Sequence, residues 1–307
     1  MPTETVAADP AGITRAVALL AKGHVVALPT ETVYGLAGDA TDPAAVAAIY
    51  AAKGRPGFNP LIVHVVDLAA AERLVEVDAI ARALATRFWP GPLTLVLPAR
   101  PGNGIAPEVT AGLATLAVRV PAHPVMRAVL AAFGRPLAAP SANASGTISP
   151  TTAAHVAATL GGRIPLIVDG GATPGGLEST IVRIDGGRVS LLRPGGIDAA
   201  LLGIDSEAAP GIVAPGQLAS HYAPAQPLRL DATSAEAGEY LIGFGAVAGD
   251  TTLSAAGDLN EAAARLFAAL HLAQASGAAR IAVAPIPATG VGAAINDRLR
   301  RAAAPRP

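Results

Sequence analysis

Through the first two-thirds of the chain, short apolar, β-branched runs alternate with alanine-rich stretches of helical period, and proline, glycine or a capping residue marks each change. "HVVALP", "PLIVHVV", "PLTLVLP", "TLAVRVP", "IPLIVDGG", "STIVRI" and "VSLLRPG" read as strands, with "PLAAPS" a short one. Residues 12–22, "DPAAVAAIYAAKG", residues 68–88, a stretch near 123–133 and residues 151–160 read as helices. Asp42 and Pro43 suit an N-cap and the first helical position, while Gly23 and Gly54 suit the residue just past a helix end. Such alternation buries its apolar faces by laying helices on a sheet, so a mixed α/β fold is expected. From about Ile204 to Pro227 the pattern lapses, in a stretch with four prolines and no apolar period. A gap of that length marks a domain boundary or a functional lid. Beyond it, "YLIGFG", residues 258–276, "RIAVAPIP" and "GAAINDRLRRA" give strand, helix, strand, helix again. The expected division is a first domain at 1–204, a linker or lid at 205–227 and a small α/β domain at 228–307, which a chain of 307 residues can hold.

Composition narrows the chemistry. An apolar fraction of 51% with 15% charged residues describes a compact globular chain. There is no cysteine, which removes disulfides, thiol catalysis and cysteine-held metals. The six histidines show no HExxH-like spacing. A net charge of −1 argues against a broad basic footprint for nucleic acid, though not against a local patch. The first residues lack the basic start and apolar core of a signal peptide. No uncharged apolar run reaches the ~18 residues of a membrane span. A cytoplasmic location with no membrane partner is the expectation. Lys22 and Lys53 are the only lysines, so a lysine in a loop stands out.

Four loops carry polar groups that a chain this apolar does not need for packing. "LPTETVYGLAGDA" sets Thr30, Glu31, Thr32, Tyr34 and Asp39 after a buried strand, with no helical or strand period before Asp42, at the sheet edge where ligands bind in open α/β folds. Turn-forming hydrogen bonds account for the same residues equally well. "AAKGRPGFNPLIVHV" places Lys53 and Arg55 past a helix end and Asn59 before a strand. Two cations and an amide in a stiff loop suit a polyphosphate, while plain helix capping is the competing reading. His64 alternates with Val63 and Val65 and so faces away from them. In "LAVRVPAHP", Arg119 sits inside an apolar strand, where it needs either an internal carboxylate or a ligand's anion. "LAAPSANASGTISPT" offers Ser141, Asn143, Ser145, Thr147 and Ser149 ahead of a helix, a composition shared by anion sites and flexible linkers. "LESTIVRI" and "LLRPGG" add Ser179, Thr180 and Arg193. There is no GxxxxGKS/T, no GxGxxG after a strand and no GxSxG.

"LPTETVYGL", "KGRPGFNPLIVHV", "FWPGPLTLVLP", "VRVPAHP", "APSANASGTISPT", "STIV" and "LLRPG", in that order, resemble the YrdC-type threonylcarbamoyl-AMP synthase family. "APGQLASHYAP" followed by a small α/β unit is similar to its long, two-domain form, so the resemblance spans essentially the whole chain. It implies a twisted, mixed-sheet catalytic domain around a concave, positive site, plus a small Rossmann-like C-terminal domain. It also implies an ATP-dependent nucleotidyltransferase joining L-threonine and bicarbonate into L-threonylcarbamoyl-AMP with release of pyrophosphate. That product would pass to tRNA threonylcarbamoyl-transfer proteins for N6-threonylcarbamoyladenosine, with tRNA itself a further candidate partner. By motif position, Thr32, His64, Arg119 and Ser179 match the threonine side. Arg55, Asn59, Thr115, Ser141, Ser149 and Arg193 match the ATP side, with Tyr222 closing over it. Lys53 and Arg55 are the expected catalytic cations, and Mg²⁺ is expected with ATP, although no carboxylate cluster marks its ligands. One departure is that "GQLASHYAP" lacks the basic residue often found just before His221.

The chemistry is compatible with these groups. A strand-borne arginine can hold an amino acid by its carboxylate, leaving a neutral amine free to attack carbon dioxide or bicarbonate. The carbamate then attacks the α-phosphorus, so positioning and charge neutralisation carry the rate. Two other readings compete. A module binding tRNA or double-stranded RNA without turnover would use a concave basic surface, yet aromatics are only 3% of the chain. A carbamoyl-transfer domain acting on another acceptor normally belongs to a much larger chain with cysteine-rich zinc modules.

Overall fold

The structure, a computed structural model, describes residues 2–204, 206–207, 214–216 and 220–305. Among these, two sheets organise the chain. The larger has eleven strands in the spatial order Glu4–Ala7, Leu166–Asp169, Val26–Leu28, Gly35–Asp39, Leu137–Ala138, Ile62–His64, Thr115–Arg119, Leu93–Pro98, Thr180–Asp185, Arg188–Arg193 and Ser206–Glu207. Parallel and antiparallel pairs are mixed. Ile62–His64 runs parallel to Thr115–Arg119, which runs antiparallel to Leu93–Pro98. The smaller sheet, Leu228–Arg229, Arg280–Val283, Glu239–Gly243 and Thr251–Thr252, is parallel throughout. The helices Leu259–Ala275 and Gly292–Ala303 belong to this second unit, giving the Rossmann-like character expected there.

Local chemistry accounts for the helix ends. Asp42 accepts from Ala44 N at 2.9 Å and Pro43 opens the helix Pro43–Lys53, which Gly54 closes in the left-handed conformation. Three expectations differ from the structure. Residues 68–88 are not one helix but two, Leu68–Glu72 and Ala79–Phe88, because Asp78 caps a fresh start and Val75 bridges to Ala99 between them. Gly35–Asp39, expected as irregular, is a fully buried strand, and Glu4–Ala7 is a further strand outside the expected set. "GLAGD" has weak strand propensity, but its neighbours Val26–Leu28 and Leu137–Ala138 supply the pairing that decides it.

The main core lies under the large sheet, where Leu36, Val63, Leu95 and Val118 are buried together, and each such side chain contributes roughly 1.5–3 kcal/mol. A second core is shared between the units. Val33, Ile148 and Leu177 of the first pack with Leu266, Phe267 and Ile281 of the second. The two approach so closely that a Cβ on Gly176 would stand 2.4 Å from the Ala263 carbonyl oxygen of the helix Leu259–Ala275. No helix among the described residues is long and apolar enough to cross a membrane.

Candidate active site

One cleft gathers most of the singled-out residues. Thr30, Thr32, Arg55, His64, Arg119, Ser141, Ser179, Arg193, His221 and Tyr222 line it, with Ala139, Pro140, Glu178, Pro215 and Gly216 among the other walls. Strand register explains one end. His64 pairs with Arg119 across the parallel strands Ile62–His64 and Thr115–Arg119, so both side chains leave the same edge on the same face. Val63 and Val65 face the core instead, as the alternation requires.

Arg119 is 3% exposed and tightly bonded. Its Nε donates to Gly91 O at 3.1 Å, Nη1 to Thr32 Oγ1 at 3.1 Å and Nη2 to Glu31 Oε1 at 2.5 Å. Both readings of this arginine therefore meet at one residue. It has an internal carboxylate, yet three bonds use only three of five N–H groups, leaving one on each terminal nitrogen. Burial pushes the Glu31 carboxyl up, but Arg119's charge and hydrogen bond outweigh it and hold Glu31 below the usual range. Thr30 closes the turn, accepting from the Thr32 and Val33 amides at 3.1 and 3.2 Å and sharing a 2.8 Å bond with Thr32 Oγ1. Burial, then Arg119's charge, pushes His64 down to about 3, so its ring is a neutral imidazole. Ser179 Oγ bonds Thr94 Oγ1 at 2.7 Å, which fixes it beside Arg193.

At the other end, Arg55 donates to Asn59 O at 3.2 Å and Pro60 O at 2.8 Å, shaping its own loop. Burial pushes its pKa down to about 10. Arg193 grips Ser179 through the carbonyl at 3.0 and 3.1 Å and the hydroxyl at 3.1 Å, and donates from Nη1 to Pro215 O at 3.3 Å. Gly216 follows, where a Cβ would fall 2.6 Å from Tyr222 Oη and 2.9 Å from Arg193 Cδ, so only glycine fits. Tyr222 is buried, with its hydroxyl lacking a hydrogen-bond partner among the described residues. Its ring meets His221 edge-on at 4.0 Å. Burial first, then Arg55 and Lys53, holds His221 neutral. The remainder of the expected lid, residues 205, 208–213 and 217–219, lies outside the described residues.

Four of the residues given a substrate or catalytic role do not line the cleft. Lys53 is buried behind it, with Nζ donating to Ser141 O at 2.5 Å, Asn143 O at 2.6 Å and Asn143 Oδ1 at 3.5 Å. It holds the Ser141–Asn143 loop in place, and burial, then Arg55, pushes its pKa well down. Ser149 donates to Glu178 Oε1 at 2.5 Å. Asn59 is 1% exposed with both side-chain polar atoms unpartnered among the described residues. Thr115 starts the strand that Arg119 ends, about 13 Å away along an extended chain. Of the opening loop, Tyr34 bonds Gly171 O at 2.7 Å and Asp39 pairs with Arg135 at 2.6 Å, so both serve the fold.

Sequence reasoning assigned no role to Glu31, Glu178 or Arg298. The first two lie inside quoted motifs, but their arginine partners stand 88 and 120 positions away, so only a carboxylate among apolar and hydroxyl residues was available as a signal. Three arginines and one glutamate on the cleft walls make an anion site. Because Arg119 and Arg193 are only 3% and 4% exposed, they suit a small ligand inside a cleft rather than a nucleic-acid backbone across a surface. No cluster of three or more metal-ligating side chains occurs among the described residues.

Comparison with known proteins points the same way. The family model described as "Telomere recombination" (Sua5, YciO, YrdC) matches residues 18–195, and one described as "Threonylcarbamoyl-AMP synthase, C-terminal domain" matches residues 188–304. The chain is 42% identical to a threonylcarbamoyl-AMP synthase of Bacillus subtilis, over 99% of this chain and 96% of that one. It is 39% identical to one from Pyrococcus abyssi, covering 94% and 92%. The crystal structure of the P. abyssi Sua5 complexed with L-threonine superposes with a TM-score of 0.87 at 37% identity, covering 95% of this chain and 94% of that one.

Proposed function

The chain belongs to the threonylcarbamoyl-AMP synthase family, and from that premise we propose how its cleft works. It is an enzyme of threonine-dependent threonylcarbamoyl-AMP synthesis. In our reading it is a nucleotidyltransferase that takes ATP and bicarbonate as its other substrates. The observation that carries this is the convergence of Arg55, Arg119 and Arg193 on one cleft, with the Arg119 end already shaped by Thr32 and neutral His64.

Arg119 presents its two remaining N–H groups to the threonine carboxylate, with Thr32 and Ser179 beside it. A neutral His64 adds no charge that would compete for that carboxylate. Bicarbonate releases carbon dioxide and hydroxide; the amine of threonine, once neutral, attacks that carbon dioxide, a C=O π pair moves to oxygen, and the N–H proton lost joins the hydroxide as water, leaving a carbamate. A carbamate oxygen attacks the α-phosphorus of ATP, the bond to the bridging oxygen breaks, and pyrophosphate leaves with both its electrons. Arg55 and Arg193 offset the triphosphate charge, supported by Lys53 through the Ser141 loop and joined by Asn59, Thr115 and Ser149 on the ATP side. Mg²⁺ is proposed to accompany ATP. The described residues do not fit a protein-held cation, since Glu178, the carboxylate on the cleft wall, is committed to Ser149 and Arg298.

We further propose the division 1–204, 205–227 and 228–307, with the middle segment a lid. Pro215, Gly216, His221 and Tyr222 on the cleft wall support it, since covering an acyl-type adenylate keeps water from hydrolysing it. Transfer proteins for N6-threonylcarbamoyladenosine in tRNA would receive the product, in the cytoplasm where ATP and tRNA are found. Incubation with ATP, Mg²⁺, threonine and bicarbonate, read by pyrophosphate release and mass spectrometry, tests the function. Adenylate is expected only when threonine and bicarbonate are both present, and turnover without threonine overturns the reading.

A further inference from the structure

Arg298 belongs to the last helix, Gly292–Ala303, yet its side chain is 0% exposed and reaches into the first unit. Nε donates to Glu178 Oε2 at 2.7 Å, Nη2 to Pro194 O at 2.9 Å and Nη1 to Asp297 Oδ2 at 2.6 Å. The guanidinium carbon lies 5.1 Å from the centre of the Tyr222 ring, within cation–π range. Each partner outside the second unit is a cleft residue or adjoins one. Glu178 lines the cleft, precedes Ser179 and accepts from Ser149, Pro194 follows Arg193, and Tyr222 forms a wall.

Stability gives a weak reason for such an arrangement. A buried ion pair seldom outperforms apolar side chains of the same volume, because desolvating both charges cancels most of their attraction. A planar fork does supply geometry, since it fixes a carboxylate, a carbonyl and a ring relative to one another at once.

On the reading of the cleft given above, we propose that Arg298 is a positioning residue for its nucleotide side. The second unit thereby completes the active site of the first, by setting Glu178, the Arg193–Pro194 backbone and the Tyr222 ring. Of threonine's end, Glu31, Thr32 and Arg119 receive no contact from Arg298, and Ser179 is reached only through its chain neighbour Glu178.

The test compares Arg298→Gln and Arg298→Lys in the full chain, using calorimetry with a non-hydrolysable ATP analogue and with threonine, beside KM and kcat from pyrophosphate release. Arg298→Gln is expected to weaken analogue binding and raise the ATP KM by about tenfold or more, the size of one to two charged hydrogen bonds. Threonine affinity should stay within about twofold, less than the 1.4 kcal/mol that makes a factor of ten. Arg298→Lys keeps a charge against Glu178 and so remains folded if the glutamine variant does not. It loses the fork and should show a smaller loss with the same selectivity for nucleotide. Unchanged analogue affinity in Arg298→Lys, or equal loss of threonine and analogue binding, overturns the inference. If wild-type protein binds the analogue but makes no adenylate, the reaction assignment fails, and the analogue titrations still decide the role of Arg298.

Discussion

The Glu31 carboxylate and the Arg119 guanidinium stand 2.5 Å apart, and the hydroxyl of Thr32, the residue after Glu31, takes a second bond from the same guanidinium at 3.1 Å. One turn therefore both neutralises the arginine in part and aims it. The proposed threonine site is thus formed by the chain itself, which lowers the ordering cost of binding.

From this pair, Arg119→Ala should abolish measurable threonine binding and leave ATP-analogue binding nearly intact. Removing one partner of a desolvated pair costs roughly 2–5 kcal/mol. Glu31→Gln should cost stability, with a pH signature of defined sign. Glu31 is held below its unfolded value, so its contribution is present above about pH 4.5 and is lost as pH falls through the folded value. Wild type and Glu31→Gln should thus differ in urea melts at pH 7 and converge towards pH 3. Parallel curves across that range would count against the pairing.

Arg55 holds two carbonyls of its own loop as well as facing the cleft. A lysine cannot reproduce that fork, so Arg55→Lys should raise the ATP KM by about tenfold or more, equivalent to one lost charged hydrogen bond. Threonine affinity by calorimetry should not change. Wild-type kinetics in the lysine variant would mean that charge alone matters there.

His64 gives a pH-dependent stability of known direction. Its folded value lies near 3, well below the ordinary histidine value. As pH falls below about 6.5, the unfolded chain takes up a proton that the native site refuses, so stability declines from there towards pH 3. His64→Gln should flatten that part of the curve. The His64 ring resonances of wild type should stay those of neutral imidazole from pH 8 to about 4.5, one and a half units above its folded value. A midpoint near 6 would refute the assignment.

Tyr222 separates binding from packing. Its hydroxyl is buried without a partner among the described residues. Tyr222→Phe keeps the ring against Phe267, 5.7 Å between centres, and should leave Tm unchanged or slightly raised. If the hydroxyl serves ATP, the same variant weakens analogue binding, whereas an equal loss of Tm and affinity would make Tyr222 a packing residue.

The parts that short-range chemistry decides were legible in the sequence. Asp42, Pro43 and Gly54 punctuate a helix by their own conformational preferences. The alternation of His64 with Val63 and Val65 assigns its face, and the cost of burying Arg119 demands an anion. What depends on partners far along the chain was not legible. Gly35–Asp39 becomes a strand through its neighbours, despite two glycines. Lys53 reads as a phosphate cation because it shares a stiff loop with Arg55 and Asn59, yet it is the last residue of the helix Pro43–Lys53 and its three acceptors are at Ser141 and Asn143. Arg298 sits in "NDRLRR", which reads as a solvated helix face, since the Asp297 pair with Arg301 is local while Glu178 lies 120 positions away.

Arg193 already gives one N–H to the carbonyl of Pro215. A phosphate oxygen that takes that hydrogen does not meet a bare cation but displaces an acceptor the chain supplies for itself. On the proposed nucleotide pose, a phosphate that took this N–H rather than the one left on Nη1 would be a rival of the polypeptide, and its affinity would be the difference between two bonded states. In that case the chain would act as its own weak competitive inhibitor, and loosening the Pro215 contact should tighten ATP rather than release it.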